Sequence, residues 1–266
     1  TTGFSELTGN FDATVENSGV ELDLRTVNVR GKKLNWTTTF NVTVPKNRLV
    51  AFDGLETSTF ANQYVIGQPL TIVKLYHALG VDPETGEYTF EDYNGDGNIR
   101  SLDDRQYIED RSPKFYGGLG NTISFGNLTL YFFLQFKKQR AFNPLAFGAT
   151  PGYRGNAPVD LLDRWQEAGD DAPVQLATGG LSSAGDTGIL QQSSSAAFSD
   201  ASFIRMRNIS LNYHLDLFSE GLDVNIYLQG QNLFTMTNYK GPDPEQPSNS
   251  RLPVLRRITL GLQVSF

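Results

Sequence analysis

The stretch Asp92 to Asp103 (DYNGDGNIRSLD) sets oxygen-bearing side chains at alternate positions of a turn-forming segment. With Asp92 at position 1, Asn94 falls at 3, Asp96 at 5, Gly97 at 6, Asn98 at 7 and Asp103 at 12. That is the spacing of an EF-hand loop, in which a hard cation collects about six to eight oxygens. Gly97 permits the sharp bend, and the main-chain carbonyl of Asn98 supplies the backbone ligand. The predicted metal site is therefore Asp92, Asn94, Asp96, Asn98 and Asp103, holding Ca2+ and pinning an external loop. Asp103 replaces the bidentate Glu of the pattern, and its shorter arm weakens binding or shifts it toward Mg2+ unless Asp104 helps. The bland alternative is an Asn/Gly/Asp-rich surface turn without an ion.

Other chemistry finds little support. The two histidines, His77 and His214, stand far apart without an HExxH pattern, which argues against a zinc enzyme. Carboxylates are plentiful, but no feature selects a glycosidase pair. Ser193 to Ser195 lacks the GxSxG context of a nucleophile elbow. The sequence thus predicts no catalytic site.

The elements that must position these residues are β-strands. Along Arg256 to Phe266, Ile258, Leu260, Leu262, Val264 and Phe266 alternate with Thr259, Gly261, Gln263 and Ser265. Successive strand side chains point to opposite faces, so one face is apolar and the other small or polar. The same alternation runs through Val20–Leu24, Leu34–Val44, Leu119–Phe125, Leu128–Phe136, Ile209–Leu215 and Leu222–Leu228. About seven strands of this kind, each close to the ~9–11 residues a tilted crossing needs, suggest a wall between lipid and water. The matches to a glycosylation sequon at Asn35, Asn41, Asn127 and Asn208 follow from this alternation, which sets Asn and Thr or Ser on one polar face.

Connections alternate in length. Residues 30–33, 126–127 and 216–221 are short links; 48–112, 140–199 and 235–253 are long ones. Outer-membrane barrels have short periplasmic turns and long extracellular loops, so the long links are placed outside. The apolar run Leu70 to Leu79 is expected to form a hairpin inside the first loop. Val159 to Trp165 is expected to form a short helix in the second, packing on its own barrel or offering Arg164 and Trp165 to a partner.

Composition bounds the reading. The chain has 266 residues, 39% of them hydrophobic, and no run of ~18 apolar residues to serve as a membrane helix. A net charge of −7, from 22 basic and 29 acidic residues, argues against nucleic acid as a partner and is compatible with cation binding. With no cysteine, disulfides and thiolate metal sites are excluded. Thr1 to Asn10 has neither the basic start nor the apolar core of a signal peptide, so the chain is expected to be mature or a piece of something longer. Seven strands close no useful barrel, and an open sheet edge in lipid costs several kcal/mol per unpaired group, so the rest of the barrel lies elsewhere.

Several segments, in order, carry a resemblance to a known family. They are NSGVELDL (17–24), LNWTTTFNVTVPKNRLV (34–50), YNGDGNIRSLDDRQYI (93–108), SPKFYGGLGNTISFGNLTLYFFLQF (112–136), DASFIRMRNISLNY (200–213), GQNLFTMTNYKGPDPE (230–245) and RRITLGLQVSF (256–266). Together they resemble the C-terminal part of the barrel of SusC/RagA-type TonB-dependent transporters. The resemblance implies an all-β, antiparallel transmembrane barrel of about 22 strands, closed by a plug. It implies import of a large nutrient, an oligosaccharide or a peptide, across the bacterial outer membrane. It implies a SusD-like surface lipoprotein as lid, and TonB acting through a plug that this sequence lacks. In such proteins a terminal aromatic like Phe266 is read by the barrel-assembly machinery.

Two other readings stay open at this point. A secreted, Ca2+-binding β-sandwich that binds carbohydrate would also show alternating strands and an ion loop, with its apolar faces turned inward. A passive porin would differ in lacking plug and lid.

Overall fold

The computed structural model describes residues 12–100, 103–148, 150–179, 181–216, 223–248 and 250–265. Its strands, in chain order, are β1 (Ala13–Arg30), β2 (Leu34–Phe52), β3 (Ile72–Leu75), β4 (Ala78–Val81), β5 (Tyr88–Phe90), β6 (Tyr107–Asp110), β7 (Phe115–Phe125), β8 (Leu128–Lys138), β9 (Arg140–Phe142), β10 (Phe198–Asp200), β11 (Phe203–Asp216), β12 (Asp223–Gln231), β13 (Thr235–Thr237) and β14 (Arg257–Ser265). One α-helix is described, α1 (Ser183–Gln191). No described helix is long and apolar enough to cross a membrane.

Eight strands form one sheet in the order β1-β2-β7-β8-β11-β12-β14, with β13 paired to β11 off this path. Every pairing along the path is antiparallel. The strands predicted from alternation are all present. Leu222, Phe266 and Thr1 to Asn10 lie outside the described residues, as does most of the 216–221 link.

Register fixes the two faces, because directly paired residues point the same way. Leu24, Phe40, Leu119 and Leu134 form one row across four strands, and Leu130, Leu211, Leu228 and Leu260 form another. The opposite face carries rows such as Thr37–Thr122–Tyr131–Ser210–Gln229–Thr259. No second sheet covers the apolar face among the described residues. Ile258 is 72% exposed, Leu260 73% and Val20 69%. Phe132, Ile226 and Leu260, which a sandwich would bury together, are half-buried or exposed. Each such side chain forgoes about 1.5–3 kcal/mol if water remains its neighbour, and hydrocarbon removes that penalty. The sheet is a segment of transmembrane β-barrel wall.

A polar cluster interrupts the apolar face. Asn121 on β7 accepts from Trp36 Nε1 at 2.8 Å and from Thr38 Oγ1 at 2.7 Å. Asn28, at the β1 bulge, donates to Thr38 at 2.7 Å. These groups satisfy one another, which is the condition for polar atoms on a lipid-facing surface.

The buried hydrophobic residues lie mostly in the long connections rather than under the sheet: Leu55, Leu75, Tyr76, Tyr88, Phe90, Val174, Ala184, Ala197 and Phe198 are examples. Tyr76, Tyr88 and Phe90 form a cluster that Ala78, Val81, Ile99 and Leu190 flank, joining the first connection to the second.

Three expectations need correction. Leu70 to Leu79 makes no hairpin of its own; it divides at Tyr76 and His77 between two ladders, β3 with β6 and β4 with β5. Val159 to Asp163 is a 3-10 turn rather than an α-helix, with Pro158 before it and Arg164 extended after it. The first long link begins after Phe52 rather than at Arg48, because Asn47, Arg48 and Leu49 continue to pair with β1. There the outward face turns polar, with Lys46 opposite Ser18, and Arg48 bonded to Glu16 at 2.9 Å.

At Gly117 on β7, an added Cβ would collide with the backbone carbonyl oxygen of Asn41 on β2, and would come within 2.7 Å of the Phe136 ring. Backbone gives way less readily than a side-chain tip, so Gly117→Ala is expected to cost about 1–3 kcal/mol by prising β2 from β7. The check is the fraction of the intact barrel that keeps heat-modifiable mobility on gels, which should fall.

Candidate functional site

The Asp92 turn leaves β5 and leads to β6. Gly95 and Gly97 take φ values of 72° and 79°, which L side chains rarely adopt. Asp92 accepts from the N–H groups of Gly95 at 2.8 Å and Gly97 at 2.7 Å. Asn94 accepts from Asp96 N–H at 3.0 Å, and Asp96 from Asn98 N–H at 2.7 Å. That last bond, with the Asn94 amide at 3.1 Å, lowers the pKa of the Asp96 carboxyl. Four of the five expected residues thus share one turn. Asp103 stands apart: it is exposed, and its carbonyl accepts from Gln106 Nε2 at 3.2 Å. Asp104 closes the turn instead. It is fully buried and accepts from Tyr93 N–H at 2.9 Å and Arg100 N–H at 2.7 Å. The oxygens of Asp92, Asn94 and Asp96 suit a hard cation. As placed, no group of three or more His, Cys, Asp or Glu side chains converges to hold one among the described residues.

The histidines are otherwise engaged. His77 Nδ1 lies 2.7 Å from Glu91 and its ring stacks on Tyr107 at 5.0 Å. His214 sits on the polar face opposite Asn225.

The polar face is the surface a solute would meet. From β2 to β14 its middle is uncharged, with Asn35, Thr37, Thr39 and Asn41 on β2, Thr122 on β7, Tyr131 on β8, Ser210 and Asn212 on β11, Gln229 on β12, and Thr259 and Gln263 on β14, whereas β1 sets Asp23 and Arg25 opposite Asn41 and Thr39. Two aromatics lie flat across glycines. Phe133 fills the space a Cβ at Gly118 would take, and Tyr227 fills that at Gly261. Such pairing restores cover where glycine leaves the backbone bare.

At the loop end of this face, charges gather. Arg205 on β11 is 2% exposed and lies opposite Gln135. Its guanidinium donates to Asp243 at 2.6 Å, Glu245 at 2.7 Å and Thr235 Oγ1 at 2.9 Å. Arg207 donates to both oxygens of Glu245, at 2.6 and 2.7 Å, and to Gln135. Burial opposes the charge on Asp243, but the Arg205 bond and the N–H of Glu245 outweigh it, so its pKa is lowered. Gln139 adds a bond to the Pro244 carbonyl at 2.6 Å, and the Tyr239 hydroxyl donates to Phe142 O at 2.7 Å. The third long connection is thereby clasped onto the wall. Sequence reasoning missed this clasp; its signal was the matched spacing of two, Arg205 with Arg207 and Asp243 with Glu245.

The first and second connections interlock. Trp165 covers Gly86, at the tip of the β4–β5 hairpin, and its Nε1 donates to Pro83 O at 2.9 Å. Leu176 N–H donates to Gly86 O and Gly169 N–H to Pro83 O, both at 2.8 Å. Trp165 is therefore occupied within the chain, while Val159 and Leu162 remain 77% and 68% exposed.

No model of a known protein family matches the chain. Individual relatives do. The TonB-dependent receptor P26 of Formosa agariphila is 27% identical over 308 aligned positions, covering all of this chain and 30% of that protein. The TonB-dependent receptor SusC of Bacteroides thetaiotaomicron is 25% identical, covering 98% of this chain and 27% of that protein. The chain resembles SusC/RagA-type TonB-dependent transporters from end to end. Among solved structures, the RagAB peptide transporter superposes with a TM-score of 0.77 at 23% identity, over 96% of this chain and 30% of that one. This supports the same fold as the TonB-dependent barrel wall. The chain spans 27–32% of the length of the curated relatives it matches.

Arg205→Met would leave Asp243 buried without its cation, a loss of about 3–5 kcal/mol for such pairs. Residues 238–256 of the intact protein are then expected to become protease-sensitive while the wall stays folded; unchanged protection would count against the clasp.

Proposed function

We propose that this chain supplies wall and external loops to a TonB-dependent importer of the bacterial outer membrane, with no catalytic role of its own. The carrying observation is a long antiparallel sheet with an uncovered apolar face, in a chain similar from end to end to TonB-dependent receptors. A plug and the remaining strands complete the barrel, and TonB acts through the plug. Edges β1 and β14 carry backbone groups that hydrocarbon would leave unpaired, which supports a continuation on both sides.

The cargo in this reading is an oligosaccharide or a peptide. The likeness to SusC and to a transporter described as importing peptides supports that range. A SusD-like lipoprotein caps the loop side, in keeping with the RagAB likeness. Deleting the gene for the whole protein is expected to abolish growth on one class of oligosaccharide or peptide and to be rescued by the intact gene. Recovery of the intact protein from the soluble fraction without detergent would sink the reading.

In the same reading the Asp92 turn binds Ca2+ in an external loop, using Asp92, Asn94, Asp96, the Asn98 carbonyl and an acidic side chain from Asp103 or Asp104. Calorimetry on the chelator-treated intact protein is expected to give a Ca2+ binding isotherm that Asp92→Ala with Asp96→Ala removes. No heat in the unsubstituted protein would dismiss the site.

A further inference from the structure

The polar face carries aromatic rings near its centre. Directly paired residues share a face, so Phe133 and Asn208 stand in one row, Tyr131, Ser210 and Gln229 in the next, and Asn212 and Tyr227 in the one after. The rings of Phe133 and Tyr227 take the places that Cβ atoms at Gly118 and Gly261 would occupy, so each lies with backbone on one side and stays half-buried. Tyr131 covers no glycine and is 37% exposed. Neighbouring strands lie about 4.8 Å apart, so Tyr131 on β8 and Tyr227 on β12, with β11 between them, are about 10 Å apart across the strands.

Amides and hydroxyls, not charges, surround these rings. Asn208 and Gln229 are exposed, and neither side chain has a hydrogen-bond partner among the described residues; the same holds for the hydroxyls of Tyr131 and Tyr227. The nearest cation on β8, Lys137, stands two rows closer to the loops, and Arg205 and Arg207 are closed on Asp243 and Glu245. β8, β11 and β12 are interior strands with a partner on either side, so the patch offers no free strand edge.

Resting on the importer reading, we propose that this patch binds an uncharged oligosaccharide in passage, its sugar rings stacked on Tyr131, Tyr227 and Phe133 and its hydroxyls bonded to Asn208 and Gln229. A sugar ring has an apolar C–H face and a rim of hydroxyls that both donate and accept. An aromatic face matches the first, and an amide, with its own donor and acceptor, matches the second. A peptide would find neither an edge for its backbone nor a counter-charge for its termini. An acidic glycan would find no cation within the patch.

The test is calorimetry on the intact transporter in detergent, titrated with hexasaccharides of glucose, xylose or mannose, with a galacturonate hexamer, and with hexapeptides bearing charged side chains. At least one neutral hexasaccharide is expected to bind about tenfold more tightly than the galacturonate and the peptides, the scale of one aromatic contact. Tyr131→Leu is expected to weaken that sugar about tenfold, and Tyr131→Phe to keep it, because the ring and not the hydroxyl carries the stacking. Tyr227→Leu should act likewise; since Tyr131 covers no glycine, its variants remain informative if the Tyr227 variant fails to assemble. Heat-modifiable mobility on gels shows which variants are folded. Tighter binding of peptide or galacturonate, no binding of any neutral hexasaccharide, or full affinity in folded Tyr131→Leu overturns the proposal. Each of these leaves the importer reading standing, because that reading falls only if the protein needs no detergent to leave the membrane.

Discussion

In hydrocarbon no water is available to an unpaired N–H or C=O, so a strand can cross only if neighbours on both sides complete its hydrogen bonds. That constraint organises this chain. It makes the wall a ladder of antiparallel partners, ties side-chain direction to register, and sorts residues into one greasy and one wet face. It also explains the cluster of Asn28, Trp36, Thr38 and Asn121, where Asn28 donates to Thr38, and Thr38 and Trp36 donate to the Asn121 side-chain oxygen within the sheet.

A wall of this kind has no core of its own within a single chain segment. Its apolar side chains point to the membrane, and the buried cluster has moved to the connections, where water makes hydrophobic burial effective again. The connections are accordingly folded structures. Short ladders, a helix with its Ser182 cap, and the Arg205 clasp give them ordinary protein interiors. One chain thus solves two solvent problems, lipid for the strands and water for the loops.

The wall was legible in the sequence because period-two alternation is a local signal, readable residue by residue. The loops were not, because their order comes from contacts across many residues. Trp165 reads locally as an exposed anchor, yet its partner Pro83 lies 82 residues earlier. Arg205 reads as one more polar wall residue, yet it is sealed by Asp243 from the third connection. The helix at 183–191 (SAGDTGILQ) carries two glycines and no apolar stripe, so its place is set by tertiary contacts rather than propensity. Of the ion loop, the turn from Asp92 to Asn98 follows the local spacing, whereas the choice between Asp103 and Asp104 depends on which one the fold draws inside.

The interlock between the first two connections bears on the order of folding. The hairpin tip at 82–87 is enclosed by residues that follow their partners in it by 82 to 96 positions, including Trp165, Leu176 and Ser183. Such sequence-distant closure is slow, since chain entropy must be surrendered before contacts reward it. The first connection therefore cannot mature during synthesis on its own. It waits until β7 and β8 have been laid down and the second connection has emerged, so that the two set together as one piece.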